Sequence, residues 1–472
     1  MPRLHSETHT GPGSNQRRQP MLKHQLGDVA FTRSQRRVLL GNEPGTGKTR
    51  SAIEATQGAR TLVIAPAMVI TSGVWSDELA KWADKPELYT VAPYSKLCAR
   101  RNGKSVTVMR DEFAGPWDAV IIDEAHYVKG RKTTWTKVTQ RLANSAEMLI
   151  EMTGTPIPNW AHELYTLLQM LYPHEAGPGG AYGSFWRWAQ TWFDCTPTRF
   201  SRGMPVVGEL LECTRACRDV PASDPCEHYR AFMKGNLGGH YRRVLRDDVL
   251  DLPPLSEVSI QIPMVGEQKR IYREMKRDYL ASIGGEDIVS WSQGAQNVAL
   301  DKITTSPWLL NPEGKPRGGK LDRLAFDLAA RSSPTLVLAH YRDSVAACAA
   351  VADMVGASYR VIHGGTSRAE DAESFAAFKA GAVDVLCASL DKVAEGAQLT
   401  SADMVIFVER SFKPYRNKQA LYRIHRLGQT RPCVALDYVV PRTVDARKRR
   451  MLAVKTDRQM RFLSAGEFAN LL

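Results

Sequence analysis

Two short segments constrain this chain more than anything else in it. They are Gly41–Thr49, GNEPGTGKT, and, about seventy residues further on, Val120–His126, VIIDEAH. Leu39 and Leu40 end an apolar strand just before the first segment. The turn Gly45-Thr46-Gly47 then lets backbone N–H groups curl around phosphate oxygens, while Lys48 reaches for the β/γ-phosphates and Thr49 offers a hydroxyl to Mg²⁺. The helix predicted over Ser51–Thr56 aims its positive end at the same phosphates. In the second segment Val120-Ile121-Ile122 bury a strand whose carboxyl end presents Asp123 to the metal and Glu124 to an attacking water. Alone, either segment is also compatible with a plain glycine turn or an acidic helix start. Both follow apolar runs directly, which is the strand-then-turn context that phosphate binding requires. The pair implies hydrolysis of ATP with Mg²⁺.

Around these segments the chain alternates short apolar runs with helical patterns. Val38–Leu40, Thr61–Ala65, Ala119–Ile122 and Met148–Met152 are the expected strands of one parallel sheet. A second series begins after the Gly/Pro-rich link Pro312–Gly319, with strands expected at Thr335–Ala339, Tyr359–Ile362, Val383–Cys387, Met404–Val408 and Val434–Tyr438. The fold class is therefore α/β: two RecA-like lobes with parallel sheets plus helical insertions, and a ligand at the carboxyl ends of the strands. The expected domains are a basic disordered arm over residues 1–20 and a first, ATP-binding lobe over 21–250. A linker and helical region over 251–318 follows, then a second lobe over 319–472 ending in a basic helix. Within the first lobe, residues 160–250 break the rhythm and are expected to be mostly helical. Trp186, Trp188, Trp192 and Phe193 are either a core for that insertion or a stacking surface for bases, a core being the commoner use. Pro253-Pro254 marks the linker, and Glu267–Ile283 is expected to be helical.

A formal charge of +13 with a pI near 9.3 points to a polyanionic partner, since clustered Lys and Arg gain affinity by releasing counterions from phosphate backbones. The basic runs Arg242–Arg246 and Arg447–Arg450 are equally compatible with solvated helix faces. No run of eighteen apolar residues and no charged-then-apolar leader occurs, so the expectation is an intracellular protein that does not engage a membrane. Eight cysteines in 472 residues do not suggest a disulfide framework, and most are expected to be buried thiols. Cys195, Cys213, Cys217, Cys226 and His228 fall in one insertion. The C-x₃-C pair has tolerable zinc spacing, but the rest of the set is irregular, and whether it binds zinc is left open.

The order of further motifs resembles the Swi/Snf family of helicase-like ATPases within helicase superfamily two, from about Leu22 to about Thr443. Leu22-Lys23-His24-Gln25 is similar to the family's adenine-reading element, with Gln25 on the base. LVIAPAMVITSGVWSDELAKW, beginning at Leu62, resembles a motif that lies near the DNA backbone in relatives, and VAPYSKL over Val91–Leu97 the next DNA-side motif. TGTPIPN over Thr153–Asn159 matches the motif that couples the phosphate site to the nucleic-acid groove. RRVLRDDVLDLPP over Arg242–Pro254 is similar to the signature between the lobes, and ITTSPWL over Ile303–Leu309 to a later helical motif. QALYRIHRLGQ over Gln419–Gln429 is the most specific match. An R-x-x-R spacing on a helix would put Arg423 and Arg426 on one face, where the resemblance makes them fingers that cross the cleft to the transferring phosphoryl group. Asn42 stands where an acidic residue is common, Phe412-Lys413-Pro414 replaces the usual Trp-Asn-Pro, and SLDKVAEGAQLT over Ser389–Thr400 departs from the family's paired-glycine pattern.

The resemblance implies catalytic roles for Lys48, Asp123, Glu124, Arg423 and Arg426. It implies nucleotide contacts for Gln25, Pro44, Gly45, Thr46, Gly47, Lys48, Thr49, Arg50, Gly396 and Gln419, and a Mg²⁺ site at Thr49 and Asp123. DNA-binding or coupling roles fall to Pro66, Tyr94, Thr153, Gly154, Thr155, His363 and Gln398. The implied activity is a double-stranded-DNA translocase, a bare monomeric motor that remodels protein–DNA or branched-DNA structures, with RNA a less favoured partner. It would be closest to annealing-helicase-like and small bacterial or phage members, placed in the cytoplasm there and in the nucleus of a eukaryote. A strand-separating DEAH-type DNA or RNA helicase shares the chemistry but needs a wedge hairpin, which is not identifiable in the insertion. A non-enzymatic nucleic-acid scaffold is opposed by the intact set of Lys48, Asp123, Glu124, Arg423 and Arg426.

Overall fold

The computed structural model describes residues 19–101, 104–174, 183–197, 205–211, 213, 217, 221, 223–311, 317–395 and 398–469. Most of the expected arm 1–20, the glycine-rich stretch 177–180, most of the link 312–319, and Gly396 lie outside the described residues.

The first sheet has six parallel strands, in the order Tyr241–Arg242, Arg37–Leu40, Met148–Met152, Ala119–Asp123, Thr61–Ala65, Tyr89–Pro93. Its central strands are apolar on both faces because helices cover both. Val38, Leu40, Ile121 and Ile150 pack with Ile53 and Trp75 on one side, while Leu39, Leu62, Val120 and Leu149 join a larger core on the other. Register is what builds the site. Leu40 and Asp123 both pair with Met152, so three strands end level and Gly41, Glu124 and Thr153 leave the sheet side by side.

The second sheet repeats the plan with six parallel strands ordered Leu255–Gln261, Cys433–Val439, Met404–Phe407, Thr335–Ala339, Val385–Ser389, Tyr359–Ile362. Two RecA-like α/β lobes result. The strands expected from sequence are found within two residues at each end, but three more join the sheets. Leu255–Gln261 falls in the expected linker yet pairs along its length with Cys433–Val439; as a solvated edge strand, LSEVSIQ lacks the apolar run that would reveal it. Tyr241–Arg242 is too short to show, and Tyr89–Pro93 opens the segment expected only to be a DNA-side motif.

One helical expectation is corrected. The helix Gly266–Asp278 stops at Tyr279, whose φ is +60°, and the chain continues as the hairpin Leu280–Ile283 with Glu286–Val289. Helices outweigh strands among the described residues of the insertion, and helices Phe185–Trp192 and Glu227–Leu237 also flank an antiparallel hairpin, Phe193–Pro197 with Pro205–Leu210, that sequence did not show. Its aromatics form a core, with Trp188 and Phe193 buried against Phe232. The long C-terminal helix Val444–Ala469 leaves the second lobe and lies on this insertion, where Phe462 meets Tyr229 and Phe232 edge-on at 4.6 and 5.3 Å between ring centroids. No described helix is long and apolar enough to cross a membrane.

Candidate active site

Gly45 and Gly47 hold φ near +89° and +84°, a left-handed region that costs a residue with a β-carbon, and Gly47 starts the helix Lys48–Ala55 with no side-chain cap. The first N–H groups of that helix therefore face the loop without an intrahelical acceptor, as an anion-binding end requires. Lys48 Nζ donates to the carbonyls of Asn42 (2.7 Å) and Glu43 (3.1 Å), so its charge rests on oxygens at the mouth of the loop. Burial lowers the Lys48 ammonium from its ordinary value, against the opposing pull of Glu124 and Asp123. Gln25 sits directly over the loop: a β-carbon added to Gly47 would fall 2.2 Å from its amide nitrogen. Arg50 is engaged elsewhere, its guanidinium lying 3.7 Å over the Trp82 ring and donating to Pro20 O at 3.3 Å. Its side chain thus braces the segment that leads into Gln25.

Asp123 ends its strand with one carboxylate oxygen accepting from Trp75 Nε1 at 3.0 Å. Burial and then the neighbouring Glu124 push the Asp123 carboxyl up to about 6. Glu124 adopts a left-handed φ of +51°, which turns its side chain out of the strand line. Burial acts to raise its carboxyl, but His126 at 3.2 Å and the charges of Lys48 and Arg423 outweigh that and hold it below the ordinary value. His126 Nδ1 also lies 3.1 Å from Thr153 Oγ1, which accepts from the Thr155 backbone N–H. Gly154 packs on the phosphate loop, where a β-carbon would come within 3.0 Å of Pro44. Thr153–Thr155 thus touch both the loop and the acidic strand end.

The second lobe closes on this surface. Gln419 Nε2 donates to Glu124 Oε1 at 3.0 Å, Arg416 Nη2 to Tyr127 Oη at 3.0 Å, and a β-carbon on Gly45 would lie 3.9 Å from Arg426 Cβ. Arg423 donates to Ala394 O at 2.5 Å, and its charge reaches Glu124. The two arginines are not on a helix, however. The helix Pro414–Leu421 ends before them, and backbone bonds from Arg423 N to Ala420 O and from Ile424 N to Leu421 O tighten the chain into turns, while the Leu399 N–H donates to the Arg423 carbonyl.

Several side chains that organise this cleft were not singled out from sequence. Asp28, fully buried, accepts from Asn42, Ser51 and Arg242. Glu43, within the phosphate loop itself, pairs with Lys418 of the second lobe at 2.8 Å and accepts from the Arg246 backbone N–H at 3.2 Å. Arg246, 1% exposed, donates to His425 O at 2.7 Å and lies 3.8 Å over Tyr422. The run Arg242–Arg246 is therefore a clasp joining the lobes, neither a solvated face nor an open basic patch. In the run Arg447–Arg450, Lys448 is likewise buried against Asp301 at 2.6 Å and Arg449 pairs with Asp437.

The positions expected on the DNA side divide. Tyr94 is buried and donates to Asp123 O at 2.8 Å, and Pro66 is buried at the end of its strand; both stand behind the site rather than on a surface. His363 closes a turn with Thr366 at the carboxyl end of the edge strand Tyr359–Ile362, and Gln398 is exposed.

A model described as an SNF2-related domain matches residues 91–305, one described as a helicase conserved C-terminal domain matches 319–428, and one for the type III restriction enzyme res subunit matches 21–158. The SWI/SNF chromatin-remodeling complex subunit snf22 of Schizosaccharomyces pombe is 25% identical over 92% of this chain and 27% of its own length. The human SWI/SNF-related matrix-associated actin-dependent regulator of chromatin subfamily A member 1 is 24% identical over 87% of this chain and 40% of its own. The chain thus spans well under half of these relatives. Among solved structures, the Sulfolobus solfataricus SWI2/SNF2 ATPase core in complex with dsDNA aligns over 95% of this chain and 94% of that one at 19% identity, with a TM-score of 0.39.

Proposed function

Because the chain belongs to the Swi/Snf family of helicase superfamily two, as a helicase-like ATPase, we propose that it is a DNA-dependent ATP hydrolase that tracks along double-stranded DNA and remodels DNA or protein–DNA complexes. In this proposal Gly45–Thr49 cradle the phosphates, Gln25 reads the adenine, and Thr49 with Asp123 hold Mg²⁺, which neutralises phosphate charge when bound. Glu124 orients the attacking water, and Arg423 with Arg426 stabilise charge on the transferring group.

The observation that carries the proposal is the division of the site. Glu124 and the phosphate loop belong to one lobe, Gln419 and Arg426 to the other, and the 3.0 Å Gln419–Glu124 hydrogen bond joins them. A site completed only on closure links each hydrolytic cycle to relative lobe motion, and two lobes gripping one strand of a duplex convert that motion into stepping. The charge of +13 supports a polyanionic track. The names of the relatives supply the protein–DNA complex as a candidate substrate, acted on in the nucleus if the source is eukaryotic and in the cytoplasm if it is bacterial or viral.

The test is steady-state hydrolysis without nucleic acid and with single-stranded, duplex and forked DNA and RNA at fixed salt. Stimulation by duplex or forked DNA that is lost in Lys48→Ala, together with displacement of a third strand from a triplex, is the expected result. The paired strands Phe193–Pro197 and Pro205–Leu210 give the strand-separating alternative a structural element that sequence did not reveal, so tailed duplexes belong in the same assay. Stimulation by single strands alone, with unwinding, would replace translocation by strand separation.

A further inference from the structure

The insertion brings together three sulfurs and an imidazole that the nucleotide site does not use. Cys213, Cys217, Cys226 and His228 each place one donor atom within 4.8 Å of the other three. Cys217 Sγ and Cys226 Sγ lie 3.7 and 3.6 Å from His228 Nδ1. A tetrahedral zinc with sulfur at about 2.3 Å and nitrogen at about 2.0–2.1 Å sets its S···N edges at about 3.6 Å, so the two measured edges already have the size of a zinc polyhedron. Three soft sulfurs and one ring nitrogen form a closed four-ligand set, the chemistry of a structural zinc rather than a catalytic one with an open position.

The fold explains how irregular spacing makes a regular site. Cys213 follows the hairpin strand Pro205–Leu210, with its N–H on the Leu210 carbonyl. Cys226 precedes the first residue of the helix Glu227–Leu237, and His228 stands in its first turn, so the Cys226-x-His228 pair projects from one helix end. Cys195, the fifth candidate in sequence, belongs to the opposite hairpin strand and is not part of the cluster.

We propose that Cys213, Cys217, Cys226 and His228 bind one Zn²⁺ ion, which ties the hairpin of the insertion to the helix Glu227–Leu237. The metal has a mechanical place in the molecule. The helix it anchors carries Tyr229 and Phe232, on which Phe462 of the C-terminal helix packs, and Arg461 of that helix donates to the Cys217 carbonyl at 3.1 Å. Zinc thus stiffens the platform on the first lobe where the last helix of the second lobe docks.

The full chain, purified without chelator under reducing conditions, is expected to contain about one zinc per molecule by elemental mass spectrometry. Replacement by Co²⁺ is expected to give sulfur-to-cobalt charge-transfer bands and ligand-field bands of tetrahedral intensity. Cys213→Ser and Cys226→Ser lose the metal, Cys195→Ser keeps it, and His228→Cys keeps it as a four-thiolate site. If the serine variants fail to fold, the cobalt spectrum of the parent and the metal content of His228→Cys decide. A folded parent chain that takes up no zinc on titration with ZnCl₂, a disulfide between two of the three cysteines in the reduced preparation, or equal zinc in the parent and a folded Cys213→Ser/Cys226→Ser double variant overturns the proposal.

Discussion

Gln419 Nε2 donates to Glu124 Oε1 at 3.0 Å across the cleft, and this one hydrogen bond makes the second lobe a determinant of where the Glu124 carboxylate points. Glu124 has a second hold, His126 at 3.2 Å, within its own lobe. Loss of the carboxylate and loss of its orientation should therefore differ in size. Glu124→Gln is expected to lower kcat by about 10²–10⁴-fold while ATP still binds. Gln419→Ala removes one hydrogen bond to a charged group, about 1.5–3 kcal/mol, and should lower kcat roughly 10–100-fold. Steady-state hydrolysis paired with a nucleotide-binding titration separates the two. A Glu124→Gln enzyme that hydrolyses ATP at the parental rate would remove Glu124 from the chemistry.

Arg426 is partly buried, and burial with repulsion from Arg423 lowers its guanidinium to about 10. It still carries its charge at neutral pH, facing Gly45. Arg426→Ala should lower single-turnover hydrolysis by about 10³-fold or more with nucleotide affinity changed only a few-fold. Arg426→Lys is expected to restore little, because an ammonium lacks the planar fork that spans two phosphate oxygens. Full rescue by lysine would mean that Arg426 acts as a simple point charge.

What sequence made legible and what it hid follow one physical division. The glycine loop and the acidic strand end are local features: Gly45, Gly47 and Glu124 take left-handed backbone within the same short segments that hold Lys48 and Asp123, so neighbouring residues reveal them. The clasp is not local. Asp28 meets Arg242 from 214 positions away, and Glu43 meets the Arg246 N–H from 203, distances over which no periodicity survives. The same holds for the metal-type cluster, whose C-x₃-C half is visible while Cys226 and His228 join it only through the packing of a hairpin on a helix. The missed strand Leu255–Gln261 is a different failure, since a solvated edge leaves almost no apolar signature.

The clasp predicts that communication between lobes fails before nucleotide binding does. Arg246 contacts His425 and Tyr422 of the second lobe while its backbone N–H holds Glu43 of the first. Arg246→Met fills a similar volume and keeps that N–H, but loses the guanidinium contacts. DNA-stimulated hydrolysis should fall at least about tenfold, the equivalent of roughly 1.4 kcal/mol of lost coupling, with Kd for ATP unchanged within a few-fold. Equal losses in stimulated and unstimulated hydrolysis would instead place Arg246 in general folding.

Glu151 provides a pH test. It is fully buried in the strand Met148–Met152, neither carboxyl oxygen has a hydrogen-bond partner among the described residues, and burial holds its carboxyl well above the ordinary value despite the opposing charge of Arg37. Another titratable group that senses it is the buried phenol of Tyr94, raised first by its own burial and then by Asp123, with Glu151 a smaller contributor. A carboxyl whose folded value exceeds its unfolded one binds its proton more tightly in the native state. Its stabilising contribution is complete below the unfolded value, near pH 4, and is lost as pH rises through the folded one, at up to about 1.4 kcal/mol per pH unit for one proton. Thermal unfolding of the parent should therefore decline as pH climbs from mildly acidic to neutral, by more than Glu151→Gln declines. The variant should match the parent near pH 4 and exceed its Tm at pH 8, because an amide of the same shape has no proton to lose. Parallel Tm profiles across that range would mean that Glu151 is ionised in the native state and stabilised by Arg37.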